Sequence, residues 1–178
     1  RMEIKRIDST HIELILNRKT VVIGPEGSGV GDVVLHTTIP QSDIPQKDGV
    51  FSEPGEYEVQ GIMVDGVQTD ETRVSYHIAH DGTMIAAVSL KEVDALTDEI
   101  AEHLQPSQIL CIWLEEGSAS DVATLIGKLE STIVVPVSLP FDANELEKAV
   151  KMPTEAASQL KISLKDISSE QPKLYILG

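Results

Sequence analysis

Apolar positions in the first half of this chain fall into short runs with the two-residue period of β-strands. Val21-Val22-Ile23 is apolar and stops at Gly24-Pro25, a turn signal. Asp32-Val33-Val34-Leu35 predicts a second short buried strand, and Glu56 to Gln60 alternates polar and apolar as a half-buried strand does. Gly61 leads into Ile62-Met63-Val64, a strand expected to end at Asp65-Gly66. Val74, Tyr76 and Ile78 alternate with Arg73, Ser75 and His77. Asp81-Gly82 then predicts a tight hairpin, because both central positions of such a turn need positive φ, and the return strand runs through Thr83 to Val88.

The second half switches to strands separated by helical spacing. Thr97 is placed to cap a short helix through Leu104, which Pro106 helps to end. Ile109 to Leu114 is a wholly apolar strand. Ser120 is the expected cap of a helix whose Val122, Leu125, Ile126 and Leu129 share one face. Ile133 to Val137 is the next buried strand, Asp142 and Glu145 have capping-box spacing ahead of Leu146 and Val150, and strands are expected over Leu160 to Leu164 and Lys173 to Leu177. Strands followed by alternating helices and strands predict an α/β (α+β) arrangement of sheets covered by helices, in one domain over residues 1–178.

Composition narrows the function. The 178 residues are 41% hydrophobic, enough for a full core. No apolar run reaches the roughly 18 residues that a membrane span needs. The start, Arg1 to Lys5, lacks the apolar core of a secretory signal, and Arg1 ahead of Met2 reads as an addition before a natural start. The formal net charge is −15, which disfavours nucleic acid and acidic membrane surfaces as partners. The single cysteine, Cys111, lies in an apolar strand and reads as a buried, inert thiol; with no internal disulfide available, a cytoplasmic location is expected.

Candidate chemistry is sparse. Gly24 to Gly31 is glycine-rich after a strand but lacks the Lys and Ser/Thr of a phosphate loop, and its third fingerprint glycine falls at Asp32, so it reads as a connector. His77 and His80 stand three apart on a strand and leave on opposite faces. His103 has Glu99 one turn before it, which predicts a surface pair. Gly27-Ser28-Gly29 has no strand–elbow–helix context for a nucleophile. Glu53, Glu56 and Glu58 read as a solvated strand edge, and Glu115-Glu116-Gly117 follows a parallel strand at the carboxyl end, where α/β sites collect.

Phe51 to Ile62, with Pro54-Gly55-Glu56-Tyr57-Glu58 at its centre, resembles the Pro-Gly-Glu-Tyr-Glu hairpin of the ascorbate-phosphate-lactonase-like branch of the metallo-β-lactamase superfamily, whose members are zinc-dependent hydrolases. Asp32 to Leu35, His80 to Ala86, Ile109 to Leu114, Val134 to Val137 and the closing segments 160–166 and 173–177 resemble its other core strands in order. The resemblance implies the four-layer αββα sandwich of the metallo-β-lactamase fold. It also implies a site where His and Asp hold one or two metal ions and a metal-bound water attacks the substrate.

Set against that pattern, Thr38 and Pro40 stand at the first two histidines, Ser42 at the Asp and Asp43 at the last His of the His-x-His-x-Asp-His motif. Ser89 stands at the metal-bridging Asp and Ser138 at a late His. The expected function is therefore that of a non-catalytic relative without catalytic residues or a cofactor, acting through protein–protein contacts or as a homo-oligomer. The alternative is a hydrolase of a small phosphorylated or lactone substrate, with zinc or manganese on a rearranged set of His36, Asp43, His80 and Glu115. A third reading is metal-free binding of a small molecule in the vacated cleft, unless Ile39, Pro40 and Leu90 fill it.

Overall fold

The computed structural model describes residues 1–27, 29–41, 47–167 and 172–178. Its strands are β1 (Met2–Arg6), β2 (Ile12–Leu16), β3 (Lys19–Gly24), β4 (Val33–His36), β5 (Val50–Phe51), β6 (Gly55–Val59), β7 (Ile62–Asp70), β8 (Arg73–His80), β9 (Thr83–Leu90), β10 (Ile109–Leu114), β11 (Ile133–Ser138), β12 (Thr154–Ala157), β13 (Gln159–Ile162) and β14 (Lys173–Leu177). Helices α1 (Asp98–His103), α2 (Ala119–Leu129), α3 (Ala143–Val150), the single turn α4 (Leu164–Ile167) and a 3-10 turn over Val93–Ala95 complete the described elements.

Two mixed sheets pack face to face. The first has the order β13-β1-β2-β3-β4-β5 and the second β12-β14-β11-β10-β9-β8-β7-β6. Met2, Ile4, Ile12, Leu14, Val21, Ile23, Val33 and Leu35 of the first sheet meet Val64, Val74, Tyr76, Ile85, Ile109, Cys111 and Val135 of the second in one buried layer. On the far face of the second sheet, Ala86, Val88, Leu110, Ile112 and Val134 pack under α1, α2 and α3. Burial on both faces is why β10 is apolar at every position. It also pushes the Cys111 thiol up to about 12, which leaves it an unreactive packing group.

The chain crosses between sheets three times, from β5 to β6, from β12 to β13 and from β13 to β14. β12 and β13 are separated by Ser158 alone, yet one lies in each sheet. Arg6 adds a side-chain bridge: it donates from Nε to Leu177 O at 3.1 Å and from a terminal nitrogen to Val137 O at 2.7 Å, which satisfies carbonyls at the ends of β14 and β11.

Several sequence expectations need correction. β1 and β2 are strands beyond those the sequence pattern predicts. β7 continues through Gly66 to Asp70; a Cβ at residue 66 would lie 3.1 Å from the Tyr76 ring, so glycine there makes room for that side chain within the strand. Helix α2 is capped by Ser118, two residues before the expected Ser120, in a reciprocal capping box with Asp121. The late strand spans Gln159–Ile162, and Leu164 begins α4. The Thr97 and Asp142 caps and the Asp81-Gly82 hairpin, with φ of 48° and 78°, form as expected.

Candidate functional site

The second sheet is parallel from β9 through β10 to β11, and their carboxyl ends finish side by side. Register sets the chemistry there. Trp113 pairs with Ser89 on one side and with Ser138 on the other, after an irregularity at Ile112/Trp113. Along β9 and β10, Ile85, Ala87, Ile109 and Cys111 belong to the layer between the sheets. The Ser89–Trp113–Ser138 row continues that face, so the apolar layer becomes polar at its end. A cavity of about 200 Å³ opens there, lined by all three together with Thr10, Thr38, Arg73 and Glu115 among others.

Ser89 is held from behind. Its N–H donates to Ser75 Oγ at 2.8 Å, and its carbonyl accepts from Thr69 Oγ1 at 2.7 Å and Ser75 Oγ at 3.3 Å. These groups are buried and satisfy each other, which fixes the end of β9.

The opposite wall comes from the continuation of β4. Val74 N donates to Thr37 O at 2.9 Å and Ile39 N to Thr72 O at 2.8 Å, so Thr38 and Arg73 face each other in an antiparallel bridge. This pairing stitches the first sheet to the second across the mouth of the cavity. Thr38 Oγ1 accepts from Glu26 N at 3.0 Å. Arg73 turns its guanidinium into the cavity wall with only 16% of its side chain exposed. It pairs with Asp70 at 3.2 Å and makes a close ion pair with Glu115. Glu115 stands one residue past β10, its own N–H donating to Leu90 O at 3.1 Å. Burial pushes the Asp70 carboxyl up, but hydrogen bonds from Thr72 N and Oγ1 and the adjacent guanidinium outweigh it and hold it below the usual carboxylate value.

The remaining sequence candidates scatter. His36 ends β4; its carbonyl accepts from the Tyr76 hydroxyl at 2.6 Å, and burial lowers its imidazole below the ordinary histidine value, with Glu26 opposing and His11 adding to the drop. His80 lies at the other end of β8 from Arg73, about 23 Å away at the strand rise, and is engaged with Gly61 O at 3.1 Å. That separation removes His80 from any shared ligand set with Glu115. Pro40 is half-buried beyond the Thr38 bridge. Ser42 and Asp43 lie outside the described residues. His77 points to Pro106 O at 2.7 Å. His103, at the end of α1, faces Asp65 of β7 at 3.3 Å, which replaces the expected Glu99 pair.

The hairpin residues serve packing. Tyr57 OH donates to Glu53 O at 2.8 Å, its ring lies 4.3 Å from that of Phe51, and Gly55, at φ 147°, passes directly beneath the hydroxyl. Pro54 O is a second, longer acceptor for the same hydroxyl at 3.3 Å, and Glu56 and Glu58 face solvent along the edge strand β6.

Solved structures carry the same architecture. A Thermotoga maritima protein assigned as a Zn-dependent hydrolase of the metallo-β-lactamase superfamily superposes with a TM-score of 0.76 at 17% identity, over 99% of this chain and 98% of that one. The chain has the metallo-β-lactamase fold. The metallo-β-lactamase fold protein YhfI of Bacillus subtilis gives 0.62 at 8% identity over 98% and 96% of the two chains. A Parabacteroides distasonis protein assigned as a metal-dependent hydrolase gives 0.60 at 13% over 83% and 87%. No family model and no curated protein matches the sequence.

This fold implies a metal at the strand ends, and the described residues there do not fit one. Ser89 and Ser138 are neutral hydroxyls, and Thr38 Oγ1 is already an acceptor. The Arg73 guanidinium puts a fixed positive charge into the same space and takes up Glu115. Among the described residues, no group of three or more His, Cys, Asp or Glu side chains is placed to hold an ion. Arg73, the residue that dominates the cavity, was overlooked in the sequence. Asp70 three residues before it was the visible signal, but Glu115 and Thr38 reach it only through long-range pairing.

Proposed function

We propose that this chain is a non-catalytic protein of the metallo-β-lactamase fold, one domain that works in the cytoplasm through protein–protein contacts, as a homo-oligomer or as a subunit of a complex. The observation that supports it is the Arg73 guanidinium paired with Glu115 among serine and threonine hydroxyls, where the fold implies a metal. A guanidinium is cationic at all physiological pH values and has no lone pair to offer a metal. The acidic surface, at a formal net charge of −15, disfavours nucleic acid as the partner. No helix among the described residues is long and apolar enough to cross a membrane.

Calorimetric titration with Zn²⁺ and with Mn²⁺, paired with light scattering of the purified protein, tests this reading. The expected outcome is no stoichiometric, tight metal binding and a particle larger than one chain or one recruited to a partner. Tight binding at one or two ions per chain would sink it.

The descriptions of the structural neighbours favour a second reading, a metal-dependent hydrolase with a rearranged site. That site would rest on Asp43 with His36 and Glu115, since His80 is remote. The same titration, repeated on Asp43→Ala, separates the two: loss of a tight site in that variant would establish the enzyme reading.

A further inference from the structure

The cavity at the strand ends contains polar groups whose bonding is incomplete among the described residues. Ser89 is 4% exposed, and its backbone is fully engaged, yet among the described residues its hydroxyl has no hydrogen-bond partner. The same holds for the Ser138 hydroxyl, one position across the Trp113 row. Both residues line the cavity. Buried hydroxyls are ordinarily satisfied, and the buried Ser89 with the half-buried Ser138, lining a cavity beside a guanidinium, mark a place for a polar ligand.

Arg73 shows which ligand. Its fork binds two carboxylates unequally held. Asp70 is locked by Thr72 N and Oγ1 as well as by Arg73. Glu115 has 52% of its side chain exposed, and no other side-chain hydrogen bond to it is found among the described residues. A carboxylate therefore already sits on the fork, supplied by the chain itself and free to rotate into solvent about its own side-chain bonds.

We propose that this cavity is a metal-free binding site for a small carboxylate, anchored by the Arg73 guanidinium and the Ser89 and Ser138 hydroxyls, with Glu115 occupying the anchor until the ligand displaces it. Nη1 stays with Asp70 and Thr72, and Nη2, which Glu115 occupies, offers an incoming carboxylate a charge-assisted hydrogen bond. The space, about 200 Å³, lies below the range of drug-sized pockets and suits a ligand of a few heavy atoms. Charge selects the class further. Exchanging Glu115 for a monocarboxylate leaves the charge beside Arg73 and Asp70 unchanged, whereas phosphate brings an additional negative charge next to Asp70. This goes beyond the non-catalytic reading and stands whether or not a protein partner exists.

Trp113, the only tryptophan of the chain, lines the cavity and reports its occupancy by fluorescence. Sodium acetate is titrated into the wild type, Glu115→Gln and Arg73→Gln, with sodium chloride at matched ionic strength as the control and sodium phosphate as a second probe. Removing the tethered competitor is expected to bring half-saturation by acetate to about tenfold lower concentration in Glu115→Gln than in the wild type. Arg73→Gln is expected to show no saturable response beyond chloride, and phosphate is expected to bind Glu115→Gln more weakly than acetate does. A Glu115→Gln protein that responds to acetate no better than the wild type overturns the proposal. So does an Arg73→Gln protein that responds like the wild type, and phosphate binding more tightly than acetate overturns the assignment to carboxylates. Glu115 is exposed, so its variant keeps the fold and decides the matter even if Arg73→Gln fails to fold.

Discussion

Two of the seams that join the sheets of this sandwich are built differently. The first runs from β5 into β6, where Phe51 packs on Tyr57 and the Tyr57 hydroxyl takes Glu53 O; all its partners lie within seven residues. The second pairs Thr37–Ile39 with Thr72–Val74, partners some 35 residues apart, by backbone hydrogen bonds. Tyr76 serves both, donating to His36 O at 2.6 Å and to Phe51 O at 3.3 Å. At the first seam the side chains are the joint, so the Pro-Gly-Glu-Tyr-Glu motif is constrained by packing. At the second the backbone is the joint, so its side chains are free to differ without loosening the fold. A resemblance carried by the hairpin therefore speaks for architecture, and the chemistry has to be read from the cavity.

Cutting the shared element should have the largest effect. Tyr76→Ala removes a fully buried ring and both hydroxyl bonds and should cost about 3–5 kcal/mol in chemical denaturation. Tyr76→Phe keeps the ring but leaves two carbonyls short of a donor, for about 1–3 kcal/mol. If the phenylalanine variant were as stable as the wild type, the two seams would not be coupled through this hydroxyl.

The first seam alone is tested at Gly55. Its φ of 147° is a glycine conformation, and a Cβ would stand 3.1 Å from the Tyr57 hydroxyl. Gly55→Ala should lose about 1–3 kcal/mol of stability, read as a lowered thermal midpoint, while the response of Trp113 to acetate stays as in the wild type. A changed cavity response would mean that the seams are mechanically linked beyond Tyr76.

The contrast also explains what the sequence disclosed. The hairpin, the Asp81-Gly82 turn and the apolar strand β10 depend on neighbours close in the chain or on burial of a whole strand, and periodicity exposes both. β1 and β2 alternate less clearly: Ile15 sits outward between the inward Leu14 and Leu16, which blurs the period. β7 was cut short because Asp65-Gly66 has the form of a turn, whereas Gly66 instead makes room for Tyr76, a residue ten positions on. At the cavity, Ser89 and Ser138 face the same space in the structure as Thr38, but Arg73 became visible only once the Thr38 bridge and Glu115 brought it there. Whether Ser42 and Asp43 join them lies outside the described residues.

At the second seam, the exposed arm of the ion pair should matter little to stability. Glu115→Gln is expected to change the unfolding free energy by no more than about 1 kcal/mol, since a half-exposed pair gains little over its solvated groups. A larger loss would make Glu115 a structural strut and would recast the second seam as held by side chains too.

The smallest expected effect, and the one most particular to the second seam, is in pH. His36 sits where β4 gives way to the Thr37–Ile39 pairing, and burial lowers its imidazole below the ordinary value near 6.5. In the window just below pH 6.5 the unfolded chain binds more protons at this residue than the folded one, so stability rises with pH there and falls on acidification. One proton limits the slope to about 1.4 kcal/mol per pH unit, and a half-buried ring should give less. His36→Gln should flatten that part of the profile, measured as denaturation midpoint against pH, while Asp70, held low by Thr72 and Arg73, still produces a further loss below about pH 4. If the variant kept the full slope near pH 6, the seam would be indifferent to this imidazole, and the pairing of Thr37–Ile39 with β8 would rest on its backbone bonds without help from the side chain that precedes them.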